Sequence, residues 1–304
     1  MAEPLIEFDG LTKRYGARTA VDGLTLAVPQ GVVCGLLGPN GAGKTTAMRC
    51  LLGLAPITSG RCAVLGQTPT DYGYRDAVRS VGTLIEQPAL YRNATARQNL
   101  EIRAAALGIW PDDPRLTEGL RLVGLGERAD EKVKGFSLGM KQRLALALAM
   151  VGEPKLVVLD EPTNGLDPAG IAEIRDLIRS LPDLGTTVLV SSHLLAEVEQ
   201  MCDYVAILQQ GKLIRSASME EILGGGEVRF TVVVLEDQPH AAEVLRDAGL
   251  AVTENVDELS VTGARTGTEI ARILVEAGIY PEELTRHDLH LEEAFLAMTE
   301  PGEL

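Results

Sequence analysis

Long apolar runs are missing from this 304-residue chain, and with them any stretch of about 18 uncharged apolar residues that could span a bilayer. The longest candidate, Leu144 to Val151, is alanine-rich and too short. Residues Met1 to Gly10 hold three acids and no base, the wrong flank for a secretory signal. Cysteine is sparse: Cys34, Cys50, Cys62 and Cys202 are scattered without C-x-x-C spacing, each among apolar neighbours. They are expected as reduced core thiols of a cytosolic protein, not as disulfides or metal ligands. A basic excess is absent as well. The formal net charge is −15, and from Gly225 onward seventeen Asp and Glu face five Lys and Arg. That balance speaks against non-specific nucleic-acid binding. Internal repeats and long low-complexity segments are also lacking.

What is present starts at Val32-Val33-Cys34-Gly35-Leu36-Leu37, a run suited to a buried strand. It leads into Gly38-Pro39-Asn40-Gly41-Ala42-Gly43-Lys44-Thr45-Thr46, a G-x-x-x-x-G-K-T loop, and then a helix-like segment, Ala47 to Leu52. Strand, glycine-rich loop and helix in that order form a phosphate-binding P-loop. Glycines 38, 41 and 43 let several N–H groups turn into one concavity, and the helix opening near Lys44 adds its positive dipole end. Lys44 is placed to reach the β- and γ-phosphates, and the Thr45 hydroxyl suits a Mg²⁺ ligand. A nucleoside triphosphate is the expected ligand. A guanine-specific switch would carry N-K-x-D, which this chain lacks.

Read in order, Ile6 to Val28 alternates around Asp22-Gly23 as antiparallel strands. Tyr15 stands between them, either a solvated turn residue or a face on which a base stacks. Strands are expected at Gly60 to Leu65 and Val81 to Glu86, and a helix from Asn93, as its cap, to Leu107. A second short helix is expected over Leu116 to Val123. Ser137 opens a helix ahead of Met140-Lys141-Gln142-Arg143, as a capped start or as a second anion site, the cap being the simpler reading. Leu156-Val157-Val158-Leu159 reads as a buried parallel strand ending in Asp160 and Glu161. Ligands of open α/β sheets bind at such strand ends, so Asp160 can share a Mg²⁺ with Thr45 and Glu161 can take a proton from water. Asp167-Pro168 is a helix start with cap and N1 proline. Thr187 to His193 is a further buried strand whose terminal histidine is either structural or γ-phosphate-facing.

A hairpin over 204–208 and 212–216 and a short helix, Met219 to Leu223, precede the glycine run. Three segments result: residues 1–223, with a helical subdomain at about 91–150; a linker, 224–226; and a C-terminal α+β domain, 227–304. The last reads strand, helix, strand, strand, helix, strand in ferredoxin-like order with an added helix. His287 and His290 on its polar segment read as solvated.

The ordered motifs F-S-L-G-M-K-Q (136–142), L-V-V-L-D-E-P (156–162), N-G-L-D (164–167) and S-S-H (191–193) follow the P-loop and the glutamate-ending strand. Together they resemble the ATP-binding subunits of ABC transporters, most of all those serving drug, antibiotic or lantibiotic exporters with a separate permease. The resemblance covers residues 5 to about 220, and the C-terminal part resembles an accessory domain of such subunits. It implies a P-loop cassette with a parallel core sheet, an antiparallel β subdomain and a helical subdomain, and it implies ATP and Mg²⁺ as ligands. Tyr15 would stack on adenine, and Gly38 to Thr46 would be Walker A. Asp160 would be the Walker B acid, Glu161 the catalytic base and His193 the switch histidine. Asp167 would communicate across a dimer. Ser137, Leu138, Gly139 and Met140 would be the signature completing the opposite subunit's ATP site, which moves the anion-site reading of Ser137 to the fore. Leu138 and Met140 depart from the usual glycine and glutamine. Glu86 stands where the family has a glutamine that approaches Mg²⁺ and couples to the permease. The implied protein is a homo- or heterodimeric motor on the inner face of a membrane, bound to an integral-membrane permease and not to nucleic acid. The other reading is a soluble ABC ATPase of translation or DNA maintenance, types that carry tandem cassettes or long coiled coils absent here.

Overall fold

The apolar positions of β1 (Ile6–Tyr15) and β2 (Arg18–Val28) set up a pleat with one buried face, where Ile6 meets Val28 and Phe8 meets Leu26. After an intervening strand, β3 (Val33–Leu37), the strand β4 (Ser59–Val64) closes the same antiparallel sheet, pairing Ile6 with Val64 and Phe8 with Cys62. Cross-strand packing of this kind is the unit of sheet stability. The computed structural model describes residues 3–85, 89–223, 229–234, 237–287 and 290–299. Its contacts divide the chain into two units, Met1–Met219 and Glu220–Leu304.

A second sheet occupies the centre of the first unit. Its members are β3, β5 (Gly82–Leu84), β6 (Leu156–Asp160), β7 (Thr187–Ser192), β8 (Tyr204–Gln209) and β9 (Lys212–Ser218), in the order β5-β6-β7-β3-β8-β9. All pairs are parallel except the β8-β9 hairpin. Strands β3, β6 and β7 are buried at every position, as expected of parallel strands covered on both faces. Beside it run α1 (Lys44–Leu51), α6 (Pro168–Ser180) and α7 (Leu195–Met201), while α2 (Tyr74–Arg79) packs on β4 of the antiparallel sheet; α2 and α7 carry no strong sequence signal.

The helical block holds α3 (Ala96–Ala106), α4 (Pro114–Leu122) and α5 (Leu138–Met150), which share a core of Leu100, Leu116, Leu120, Phe136 and Leu144. One boundary differs from expectation. Thr95, not Asn93, caps α3: its hydroxyl accepts from the Gln98 N–H while the Gln98 side chain accepts from the Thr95 N–H, a reciprocal box stronger than a lone Asn. Helix α5 starts at Leu138 behind the Ser137 cap, as the sequence predicts, and runs on through the apolar stretch from Leu144.

After α8 (Met219–Ile222), the second unit consists of β10 (Arg229–Val233), α9 (Gln238–Asp247), β11 (Ala251–Glu254), β12 (Leu259–Thr262), α10 (Gly267–Glu276), β13 (Glu283–His287) and α11 (Leu291–Thr299). Its sheet order is β11-β12-β10-β13 with antiparallel neighbours throughout, the ferredoxin-like arrangement. Phe230, Val232, Leu245, Leu259 and Ile270 form its own core. Among the described residues, no helix is long and apolar enough to cross a membrane.

Candidate nucleotide site

Because β6, β7 and β3 are adjacent and parallel, their carboxyl ends open on one edge of the sheet. The register sets Asp160 opposite Ser191 and Leu37 opposite Ser192. Three motifs far apart in sequence therefore meet: the loop after β3, the acid pair after β6 and the histidine after β7.

The loop after β3 depends on glycine at two points. Gly38 has φ 150° and a Cβ there would stand 2.2 Å from the Leu208 carbonyl oxygen. Gly43 has φ 107°, and its Cβ would stand 2.5 Å from the Ala20 carbonyl oxygen. Gly43 also serves as N-cap of α1 without a side-chain cap, and the first turn holds no acid. The N–H groups at this helix start are thus left for an external anion. Helices α3, α4, α5 and α6, by contrast, all have side-chain caps from Thr95, Asp113, Ser137 and Asp167.

Buried Lys44 donates from Nζ to the Gly38 carbonyl at 2.6 Å and stands 3.3 Å from Glu161 Oε1. The other oxygen of Glu161 lies 2.8 Å from His193 Nδ1. One carboxylate therefore ties the P-loop cation to the histidine. Glu161 sits in the left-handed region at φ 48°, a conformation costing a non-glycine residue about 1 kcal/mol, which turns the chain sharply out of β6. Asp160 Oδ1 accepts from Thr45 Oγ1 at 3.1 Å and from Ser191 Oγ at 2.6 Å, and the Ser191 hydroxyl in turn accepts from the Glu161 N–H at 2.9 Å. Ser191 was not singled out in the sequence. It belongs to the S-S-H motif, but its role shows only in its place opposite Asp160, which requires the strand register.

Lys44, Glu161 and His193 line a cavity of about 550 Å³ together with Tyr15, Arg18, Asn164 and the loop from Asn40 to Thr46; Asp160 and Ser191 lie behind that lining and act on it through Thr45 and the Glu161 backbone. The Tyr15 ring is 49% exposed, and the buried Lys13 ammonium lies 4.5 Å from its centroid, which anchors the ring by a cation–π contact. Arg18 and Asn164 are further residues that sequence reasoning passed over.

Other expected site residues stand apart from this cavity. Ser137 caps α5, accepting from the Met140 N–H at 3.3 Å, which leaves its hydroxyl proton free to donate. Leu138 is exposed, and its Cδ2 lies 3.2 Å from a Cβ placed on Gly165; Gly139 borders Leu166. The start of α5 thus abuts the turn that ends at Asp167, whose carboxylate caps α6 through the Gly170 N–H at 3.3 Å. None of Ser137 to Met140, nor Asp167, lines the cavity. Glu86 lies outside the described residues.

Among the described residues, no group of three or more His, Cys, Asp or Glu could hold a metal alone. Mg²⁺ needs fewer protein ligands when phosphates supply the rest, and Thr45 with Asp160 offers two hard oxygens at the loop. That donor set fits Mg²⁺ shared with a nucleotide. The four cysteines are buried and free. Burial pushes the Cys34 thiol up to about 12 and Cys62 to about 11.

Comparison with known proteins follows the same lines. The family model "ABC transporter" matches residues 21–164. Over 298 residues the chain is 40% identical to YhcH of Bacillus subtilis (strain 168), an uncharacterized ABC transporter ATP-binding protein, covering 97% of this chain and 96% of that one. It is 37% identical to the bacitracin transport ATP-binding protein BcrA of Bacillus licheniformis, covering 98% of each. The solved structure of cbiO1 from Clostridium perfringens, part of an ABC transporter complex, superposes with a TM-score of 0.67 at 29% identity. It covers 73% of this chain and 91% of that one.

Proposed function

The chain belongs to the ABC transporter ATP-binding proteins, ATP-hydrolysing motor subunits, and we propose that it drives export of a drug, antibiotic or peptide through a separate membrane permease. The observation that carries the site assignment is the single carboxylate of Glu161 set between Lys44 and His193 at the mouth of the P-loop. A γ-phosphate entering there competes for Lys44 and His193 and leaves Glu161 beside the attacking water.

In this reading Tyr15 stacks on adenine and the N–H groups of Gly38 to Thr46, with Pro39 shaping the turn, surround the phosphates. Thr45 and Asp160 would hold Mg²⁺, which neutralises charge on the β- and γ-phosphate oxygens when bound. Glu161 accepts a proton as the water oxygen bonds to the γ-phosphorus. The bond to the β–γ bridging oxygen breaks, and its electron pair stays on ADP. Lys44 and His193 stabilise the charge on the transferred group. Ser191 fixes both acids: its proton goes to Asp160 and its oxygen holds the Glu161 backbone.

Two copies, homo- or heterodimeric, then close head to tail, with Ser137 to Met140 of one facing the nucleotide of the other and Asp167 linking the two sites. The free hydroxyl proton of Ser137 at a helix start supports that role, since it can donate to phosphate. A permease places the motor on the inner face of the membrane. The transport name of BcrA counts against a soluble role in translation or DNA maintenance.

The test is co-expression with a neighbouring-gene protein of several apolar spans, followed by membrane fractionation and ATP-driven efflux. Recovery in membranes only with that partner, and efflux lost in Lys44→Ala, is expected. A chain that stays in the soluble fraction with every such partner contradicts the reading.

A further inference from the structure

We propose that Arg18 is a second cationic phosphate ligand of the nucleotide site, reaching the polyphosphate chain from beside Gly41. The proposal rests on the ATP-site reading above and adds to it a residue outside the P-loop.

Arg18 opens β2 and pairs with Tyr15 across the two-residue turn Gly16-Ala17. The backbone that carries the guanidinium is therefore fixed beside the stacking ring. Its side chain lines the same cavity as the P-loop, and Nη2 lies 3.5 Å from where a Cβ would stand on Gly41, in the middle of that loop. That is ordinary van der Waals contact, so the guanidinium packs directly against the loop, where Gly41 is held at φ 83°. Arg18 has no hydrogen bond or ion pair from its side chain among the described residues, whereas Arg61, Arg97 and Arg115 all have carboxylates.

The surroundings of that unpaired guanidinium are themselves positive. The loop N–H groups and the uncapped start of α1 converge on the cavity, and Lys44 lines it. Among the described residues the one lining carboxylate, Glu161, is already engaged by Lys44 and His193. A cation held against a positive concavity is unfavourable when the cavity is empty and is relieved by a polyanion. A planar guanidinium matches phosphate with two parallel donors, which an ammonium cannot do. Tyr15 already offers the face for the base, so the position beside Gly41 is left for phosphate.

The test measures binding of adenosine, ADP and inorganic triphosphate to the full-length protein and to Arg18→Gln, Arg18→Lys and Lys44→Ala. In Arg18→Gln, ADP and inorganic triphosphate weaken about tenfold, as for loss of a charge-assisted hydrogen bond, while adenosine is unchanged. The dependence on salt becomes shallower, and Arg18→Lys recovers part of the loss. If Lys44→Ala weakens ADP but Arg18→Gln does not, Arg18 is not a ligand and the site reading stands. Equal losses of adenosine and ADP in Arg18→Gln overturn the proposal in favour of a role at the base. If neither variant changes ADP binding, the site reading fails, and this proposal with it.

Discussion

Glu161 combines a left-handed backbone, contact with the Lys44 ammonium and the His193 ring, and a strand end, and each of these depends on a different neighbour. Replacing only its charge tests its chemistry while leaving its place. Glu161→Gln is expected to lower phosphate release by at least about a hundredfold, the usual contribution of a general base, with ATP binding retained. A wild-type rate would remove Glu161 from the mechanism. Cys34 makes a different prediction. Its thiol is raised to about 12 by burial, above the ordinary value near 9, so its contribution to stability is complete below pH 9. As pH climbs from 9 towards 12 the unfolded thiol ionises first and that stability is lost. Thermal unfolding between pH 9 and 11 should show a falling midpoint, with a shallower fall in Cys34→Ala. At this scale the sequence made the loop glycines, Lys44, Thr45, Asp160 and Glu161 legible, because each sits within a few residues of a strand end. Ser191 and Arg18 were not, since one acts through strand register and the other through a hairpin fold-back.

Helix starts show why element boundaries were harder to read than element identities. An apolar stripe marks a helix, but its first residue is set by whichever side chain closes the cap, as Thr95 does for α3 and Ser137 for α5. Asp167 is the same kind of residue with a second proposed role. As the cap of α6 it should tolerate Asn, which caps equally well, while Asp167→Ala should lower stability by about 1 kcal/mol. Chemical denaturation of both variants, alongside their ATPase rates, separates the roles. If Asp167→Asn is stable yet hydrolyses slowly, the carboxylate matters beyond the cap. If it is wild-type in both, capping is its whole contribution. The antiparallel and parallel sheets were legible from alternation and from continuous burial, whereas α2 and α7 are too short to display a period.

The whole chain divides into units that each own a core, one around Ile6, Leu36 and Met48, the other around Phe230 and Leu259. Every described residue that lines the nucleotide cavity belongs to the first. Deleting residues 227–304 should therefore leave ADP affinity within about twofold of the full chain, since no ligand contact is lost. A large loss, read by calorimetry, would show that the acidic unit supports the site. The assembled motor is proposed at another scale, because Ser137 to Met140 do not line the chain's own cavity and, in the proposed function, would serve catalysis only through a second copy. Mass measurement by light scattering on Glu161→Gln, with and without ATP and Mg²⁺, tests this most directly. The account predicts a doubling of mass that requires ATP and is abolished by Ser137→Arg. A Glu161→Gln protein that binds ATP and keeps the same mass at every ATP concentration would contradict it.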